Sequence, residues 1–184
     1  MYLIWFIPYL IFIIFFTGPE DLDQYPPQAS SPFKLPWHAE DSRFVSQGNR
    51  SFTSHRGLHL NAWDFVMRIG TPVLAAGDGE IVRVEMDHEG IGLLSNIIVI
   101  AHPNGIRTGY AHLKKDSALV KAGDQVKQGQ VIALSGLVGQ TLFPHLHFFA
   151  TDSTGVEPRP ISFKEVPGGV PLAGHFYTSD NVEH

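Results

Sequence analysis

His145 and His147 stand in Pro144-His145-Leu146-His147-Phe148-Phe149, two imidazoles separated by one apolar residue. In a strand, residues two apart point to one face. This spacing sets both rings on one side with Phe149 and turns Leu146 and Phe148 toward a core. Their Cα atoms would lie about 6.6–6.8 Å apart, whereas ligand atoms on one tetrahedral zinc lie about 3.3 Å from each other. The pair therefore suits two ligands of one ion, or one ligand beside one catalytic neighbour. A second cluster, Ser54-His55-Arg56-Gly57-Leu58-His59, precedes Asn61-Ala62-Trp63-Asp64-Phe65. Alternation puts Asp64 opposite two large aromatics, where an unpaired carboxylate is costly and needs a cation, either a metal or an arginine such as Arg56 or Arg68. The third element is Gly109-Tyr110-Ala111-His112-Leu113, in which Tyr110 and His112 share a face.

The rest of the composition narrows this chemistry. The 184 residues include ten histidines and no cysteine. Disulfides and thiolate metal sites are thus excluded, and any metal must be held by His, Asp or Glu. A net charge of −5, with no basic stripe, argues against a nucleic-acid partner.

The elements that must position these residues are short. Candidate strands are 61–66, 71–75, 80–86, 96–101, 107–113, 130–135 and 146–150, broken by Gly70, Gly77, Gly79, Gly90, Gly92, Gly105, Gly123, Gly136 and Gly139. No helical period of useful length intervenes, so the expected fold is all-β, a single domain of antiparallel sheets and hairpins. Gly70-Thr71-Pro72 reads as a turn, Val126–Ile132 as a hairpin, and 158–163 as a closing strand. Ahead of this domain, Tyr2–Phe16 is almost wholly apolar. As a helix it would span ~24 Å, short of the ~30 Å hydrocarbon core. It reads as a signal peptide over 1–17, or as a membrane anchor, since it lacks a basic start and a small-x-small cleavage site. Residues 18–46, with Pro19, Pro26, Pro27, Pro32 and Pro36, read as an extended linker. The domain is expected over 47–167, with a weakly patterned tail over 168–184. His38, His88 and His102 are expected to be solvated; His175 and His184 belong to the tail.

Taken together, the motifs resemble the lysostaphin-like zinc endopeptidases, the family that includes the β-lytic proteases. The resemblance runs through Val45-Ser46-Gln47-Gly48, Ser54-His55, Ala62-Trp63-Asp64-Phe65, Gly70-Thr71-Pro72-Val73-Leu74-Ala75-Ala76-Gly77-Asp78-Gly79, Tyr110-Ala111-His112-Leu113, Val126-Lys127-Gln128-Gly129-Gln130 and Pro144-His145-Leu146-His147-Phe148. It implies a duplicated hybrid β motif and one zinc ion held by His55, Asp64 and His147, with His112 and His145 catalytic. It also implies a peptidoglycan peptide as substrate and an extracytoplasmic location, with a membrane tether if the apolar start is kept. Two departures stand out. The usual first histidine lies four residues before the aspartate, where this chain has Leu60; His55, nine before, matches a long-spaced branch, and His59 is the second choice. Phe149 also stands where relatives often carry an acid or Gln.

Three protein ligands leave one tetrahedral position for water, whose pKa zinc lowers from 15.7 to about 7. No His-Glu-x-x-His motif offers a glutamate base. One of His112 and His145 is therefore expected to take the water proton and the other to meet the oxyanion, with Tyr110 assisting at the substrate. A silent binding domain of the same fold is the alternative. A biotinyl or lipoyl carrier is disfavoured, because no Met-Lys-Met occurs.

Overall fold

The computed structural model describes residues 22–51 and 53–183. Its glycine-punctuated runs form ten strands: β1 (Ser42–Gln47), β2 (Trp63–Val66), β3 (Pro72–Leu74), β4 (Gly79–Glu85), β5 (Ile97–Ala101), β6 (Ile106–Ala111), β7 (Gln125–Val126), β8 (Val131–Leu134), β9 (His145–Asp152) and β10 (Phe176–Thr178). Helical structure among the described residues is limited to three single 3-10 turns, at Leu22–Gln24, Gln28–Ser30 and Gly57–His59. Eight strands make one sheet in the order β10-β1-β2-β9-β6-β5-β4-β7, and β3 pairs with β8 in a second, two-stranded sheet. The strand pairs are antiparallel, and the expected all-β class is met. All seven expected strands are present, at β2 to β6, β8 and β9.

β9 lies centrally, between β2 and β6, and is buried from His145 to Thr151. Its alternation separates two faces. Leu146 and Phe148 enter a core with Trp63, Phe65, Tyr110 and Phe163, where rings meet at 5.2–6.5 Å in tilted or edge arrangements. His145, His147 and Phe149 take the other face. Gly109 is the β6 partner of Phe149; a Cβ there would stand 2.2 Å from a ring carbon of Phe149. Only glycine lets that ring lie flat on the neighbouring strand.

Three expectations are corrected. The stretch 126–132 is not a closed hairpin: β7 pairs with β4 while β8 pairs with β3, so its two arms belong to different sheets. The stretch 158–163 forms no strand, only single bridges from Pro158 to Thr151 and from Phe163 to Phe33. The described part of the Pro-rich stretch and of the tail is packed rather than extended into solvent. Phe33, Leu35 and Trp37 are buried in the core, and Trp37 meets Phe65 edge-on at 4.9 Å. Strand β1 begins inside the expected linker and crosses its boundary at 46–47, and β10 of the tail pairs with it. Asn181 donates through Nδ2 to the carbonyls of Leu35 (3.1 Å) and Ala75 (3.2 Å). The physical reason is that proline forbids helix but not burial. Alternate large apolar side chains on an extended segment each contribute about 1.5–3 kcal/mol when buried, which outweighs the polar composition around them. The apolar stretch 2–16, with its signal or anchor expectation, lies outside the described residues, as does His184. Among the described residues no helix is long and apolar enough to cross a membrane.

Trp37→Ala should therefore cost about 3–5 kcal/mol of stability, as large-to-small changes in a closed core do. Urea denaturation of the purified chain measures this; an unchanged midpoint would show that the segment is a tether after all.

Candidate metal centre

Asp64 lies on β2 between Trp63 and Phe65, both fully buried on the core side, so its carboxylate is delivered to the opposite face. There it is paired in register with His147. Asp64 Oδ1 lies 2.8 Å from His147 Nδ1, 3.3 Å from His55 Nε2 and 3.5 Å from His145 Nε2. Three imidazoles thus converge on one oxygen.

Backbone carbonyls aim most of these rings. His55 Nδ1 donates to Gly48 O (2.6 Å), His112 Nδ1 to Val138 O (2.7 Å) and His145 Nδ1 to Phe143 O (2.9 Å). A carbonyl only accepts, so each ring carries its proton at Nδ1 and, when neutral, a lone pair at Nε2. The Nε2 atoms of His55 and His145 face Asp64 Oδ1, where they can take a metal or a proton. Ser95 Oγ lies 3.2 Å from His112 Nδ1 and accepts from the His112 backbone N–H at 3.0 Å. Thr141 Oγ1 lies 3.1 Å from His145 Nδ1. His147 is arranged the other way round: Nδ1 faces Asp64 and Nε2 lies 2.9 Å from His59 Nδ1.

His112 reaches the site by a backbone reversal. β6 ends at Ala111, whose register partner is His147, so simple alternation would send residue 112 to the core face with Tyr110. His112 instead has φ +62°, a left-handed conformation that only a few per cent of non-glycine residues adopt and that clusters at functional sites. This brings its ring to 4.7 Å from that of His145 and 5.7 Å from that of His147. The expectation that Tyr110 shares the face of His112 and assists at the substrate is therefore corrected. Tyr110 is fully buried, its hydroxyl accepts from Ala76 N (2.9 Å) and lies 3.1 Å from Thr108 Oγ1, and burial pushes its pKa up to about 12. His102 is also corrected: it is buried, with Nδ1 donating to Asp78 O (2.7 Å) and Nε2 accepting from Thr108 Oγ1 (2.8 Å).

Burial raises the Asp64 pKa, but its contacts with His145, His147 and His55 outweigh that and hold it well below the usual carboxylate range. Burial drives His147 down to about 3 and His112 down to about 4. Burial also lowers His145, yet its contact with Asp64 wins and leaves it raised. An ionised carboxylate among largely neutral imidazoles is a donor set for a cation. Two overlapping groups have their donor atoms within 4.8 Å of one another: His55, Asp64 and His147, all buried, and His112, His145 and His147. Of the site residues expected from sequence, His55, Asp64, His112, His145 and His147 come together, while Tyr110 does not. Sequence reasoning missed the orienting groups: the carbonyls of Gly48, Val138 and Phe143, with Ser95 and Thr141. A carbonyl has no residue type, so no sequence signal marks it.

Residues 57–158 match the family model described as Peptidase family M23, over half of the chain, and the chain belongs to that family. It is 47% identical over 88 residues to peptidoglycan DD-endopeptidase ShyA of Vibrio cholerae, a match that covers 48% of this chain and 19% of that protein. It is 41% identical over 110 residues to lysostaphin of Staphylococcus staphylolyticus, covering 56% and 22%. The chain thus spans about a fifth of the length of these curated relatives. A crystal structure described as a zinc containing peptidase from Vibrio cholerae superposes with a TM-score of 0.53 at 29% identity, covering 77% of this chain and 41% of that one.

The depressed histidines fix the sign of the acid response of the metal-free protein. His112 and His147 bind protons more weakly folded than their ordinary value of 6.5, so the unfolded chain takes up those protons first. Their contribution to stability is complete above about pH 6.5 and is lost as pH falls through about 4 for His112 and about 3 for His147. Lowered His59 and His102 act in the same direction, and raised His145 and Glu165 act oppositely. Urea midpoints of chelator-treated protein should fall between pH 7 and pH 5. The fall should be smaller in His147→Asn, and a flat profile in the unmodified chain would contradict these assignments.

Proposed function

We propose that this chain is a zinc-dependent endopeptidase that hydrolyses peptide bonds in peptidoglycan cross-links or stem peptides, outside the cytoplasm. The observation that carries the reading is the convergence of His147, His55 and His145 on Asp64 Oδ1 at 2.8–3.5 Å, with His112 alongside. His55, Asp64 and His147 would hold the ion. This set includes the one carboxylate of the two groups, and a dication among buried donors needs a negative ligand. His55 stands two residues before the span matched by the family model, so its assignment rests on geometry: complete burial and a lone pair aimed at Asp64 by the Gly48 carbonyl. When bound, zinc supplies a Lewis acid that polarises the scissile carbonyl and makes hydroxide available near neutral pH.

His112 and His145 would do the proton work at Nε2, because their Nδ1 atoms are held by Val138 O and Phe143 O. One accepts the proton of the attacking water at Nε2 and passes it to the leaving amine nitrogen; the other, in its doubly protonated form, donates Nε2–H to the oxyanion that forms on the carbonyl oxygen. The wall substrate is supported by the relatives named as peptidoglycan DD-endopeptidase and lysostaphin. Extracytoplasmic action is supported by the same relatives and by the apolar stretch 2–16, acting as a cleaved signal or as a tether.

His112→Ala and His145→Ala should each lower turnover about 10²–10⁴-fold while zinc remains bound; His55→Ala and Asp64→Ala should lose the metal. Metal analysis, with mass spectrometry of peptidoglycan digests and of a soluble protein digest, checks both halves. Loss of zinc in His112→Ala would exchange the ligand and catalyst assignments, and absence of zinc from the unmodified chain would favour a silent binding domain.

A further inference from the structure

The segment between His55 and Asp64 makes the 3-10 turn Gly57–His59, and this turn returns a further histidine to the site. His59 Nδ1 lies 2.9 Å from His147 Nε2, with the two rings 4.8 Å apart and 70° between planes. His59 also meets Phe149 at 5.0 Å and 83°. Phe149 lies against Gly109, where no side chain could stand without displacing the ring. Gly109, Phe149, His59 and His147 therefore form one contiguous column on the site face. The missing Cβ at 109 lets Phe149 lie down, Phe149 presents its ring to His59, and His59 faces the nitrogen of His147 that points away from Asp64.

We propose that His59 is a positioning residue: it accepts a hydrogen bond from His147 Nε2–H and so holds the Nδ1 lone pair of His147 toward the bound metal. The inference rests on the reading of His147 as a ligand. A neutral imidazole has one N–H. Ligation through Nδ1, the atom facing Asp64, leaves that proton on Nε2, and His147 is buried. A buried donor needs an acceptor, and His59 Nδ1 is at hydrogen-bond distance. His59 takes no place in either group of atoms spaced to share an ion, so its part is to orient a ligand rather than to be one. Outer partners of this kind typically govern about 10–100-fold in metal affinity. The histidine five residues before the aspartate and the phenylalanine after His147-Phe148 are thus one feature, in which the second supports the first.

The test uses the full chain, with zinc affinity measured by competition against a chelator in His59→Leu, His59→Asn and His147→Ala. Asparagine offers an oxygen near the place of Nδ1; leucine fills space and accepts nothing. His59→Leu should weaken zinc about 10–100-fold, and His59→Asn should recover most of that loss. In nitrogen-resolved spectra of the zinc-loaded unmodified chain, His147 should show a protonated Nε2 with slow solvent exchange. Unchanged zinc affinity in His59→Leu overturns the proposal, as do equal losses in the Leu and Asn variants with unfolding midpoints kept. A His147 lacking that proton overturns it too, and this readout needs no variant to fold. His147→Ala separates the two levels: retained zinc there removes the ligand reading itself, whereas lost zinc there with intact zinc in His59→Leu removes only the role of His59.

Discussion

A buried carboxylate facing imidazoles is the constraint on which the rest of this structure turns. Asp64 is held on the site face because Trp63 and Phe65 fill the core from the same short strand, and a strand cannot release one face without releasing the other. Its charge must be met where it stands, and the neighbouring strand β9 meets it with His147 in direct register and His145 two residues away. The same aromatic burial that stabilises the sheet therefore also fixes the donor atoms, and packing and chemistry cannot be varied separately here.

Orientation comes from elsewhere. The rings of His55, His112 and His145 are turned by carbonyls of Gly48, Val138 and Phe143, all of which lie outside the regular strands. These segments are themselves tied down: Gly139 donates to Gly90 O and accepts from Gly92 N, both at 3.0 Å, and Ser95 joins His112 to Val138. A rigid sheet thus supplies position and loops supply tautomer, a division expected when a lone pair must be aimed as well as placed.

The chain on either side of the motif-bearing region completes the body. Phe33, Leu35 and Trp37 on one side and Val170 and Ala173 on the other are buried in the core beneath the site, and β10 pairs with β1, the neighbour of β2. Trp63, the core neighbour of Asp64, donates its indole N–H to Pro171 O at 2.9 Å. These segments bear on the site through the core beneath it rather than by touching it.

The residue types and their local spacing determined the strand class and the two-faced character of β9, while the family resemblance carried by the motifs implied which histidines join Asp64. Period-two alternation and glycine breaks are local properties, and imidazole and carboxylate are the metal donors left in a chain without cysteine. Only the tertiary structure decided what depends on contacts distant in sequence or on backbone conformation. Tyr110 and His112 look equivalent by alternation, yet a positive φ at one residue parts them, one to the core and one to the site. The stretch 18–46 looks like a tether by composition, yet the burial of its Phe33 and Trp37 depends on partners such as Phe163 and Phe65, far along the chain. The carbonyls of Gly48, Val138 and Phe143 belong to every residue type alike, so only the folded backbone shows which of them aim the histidines.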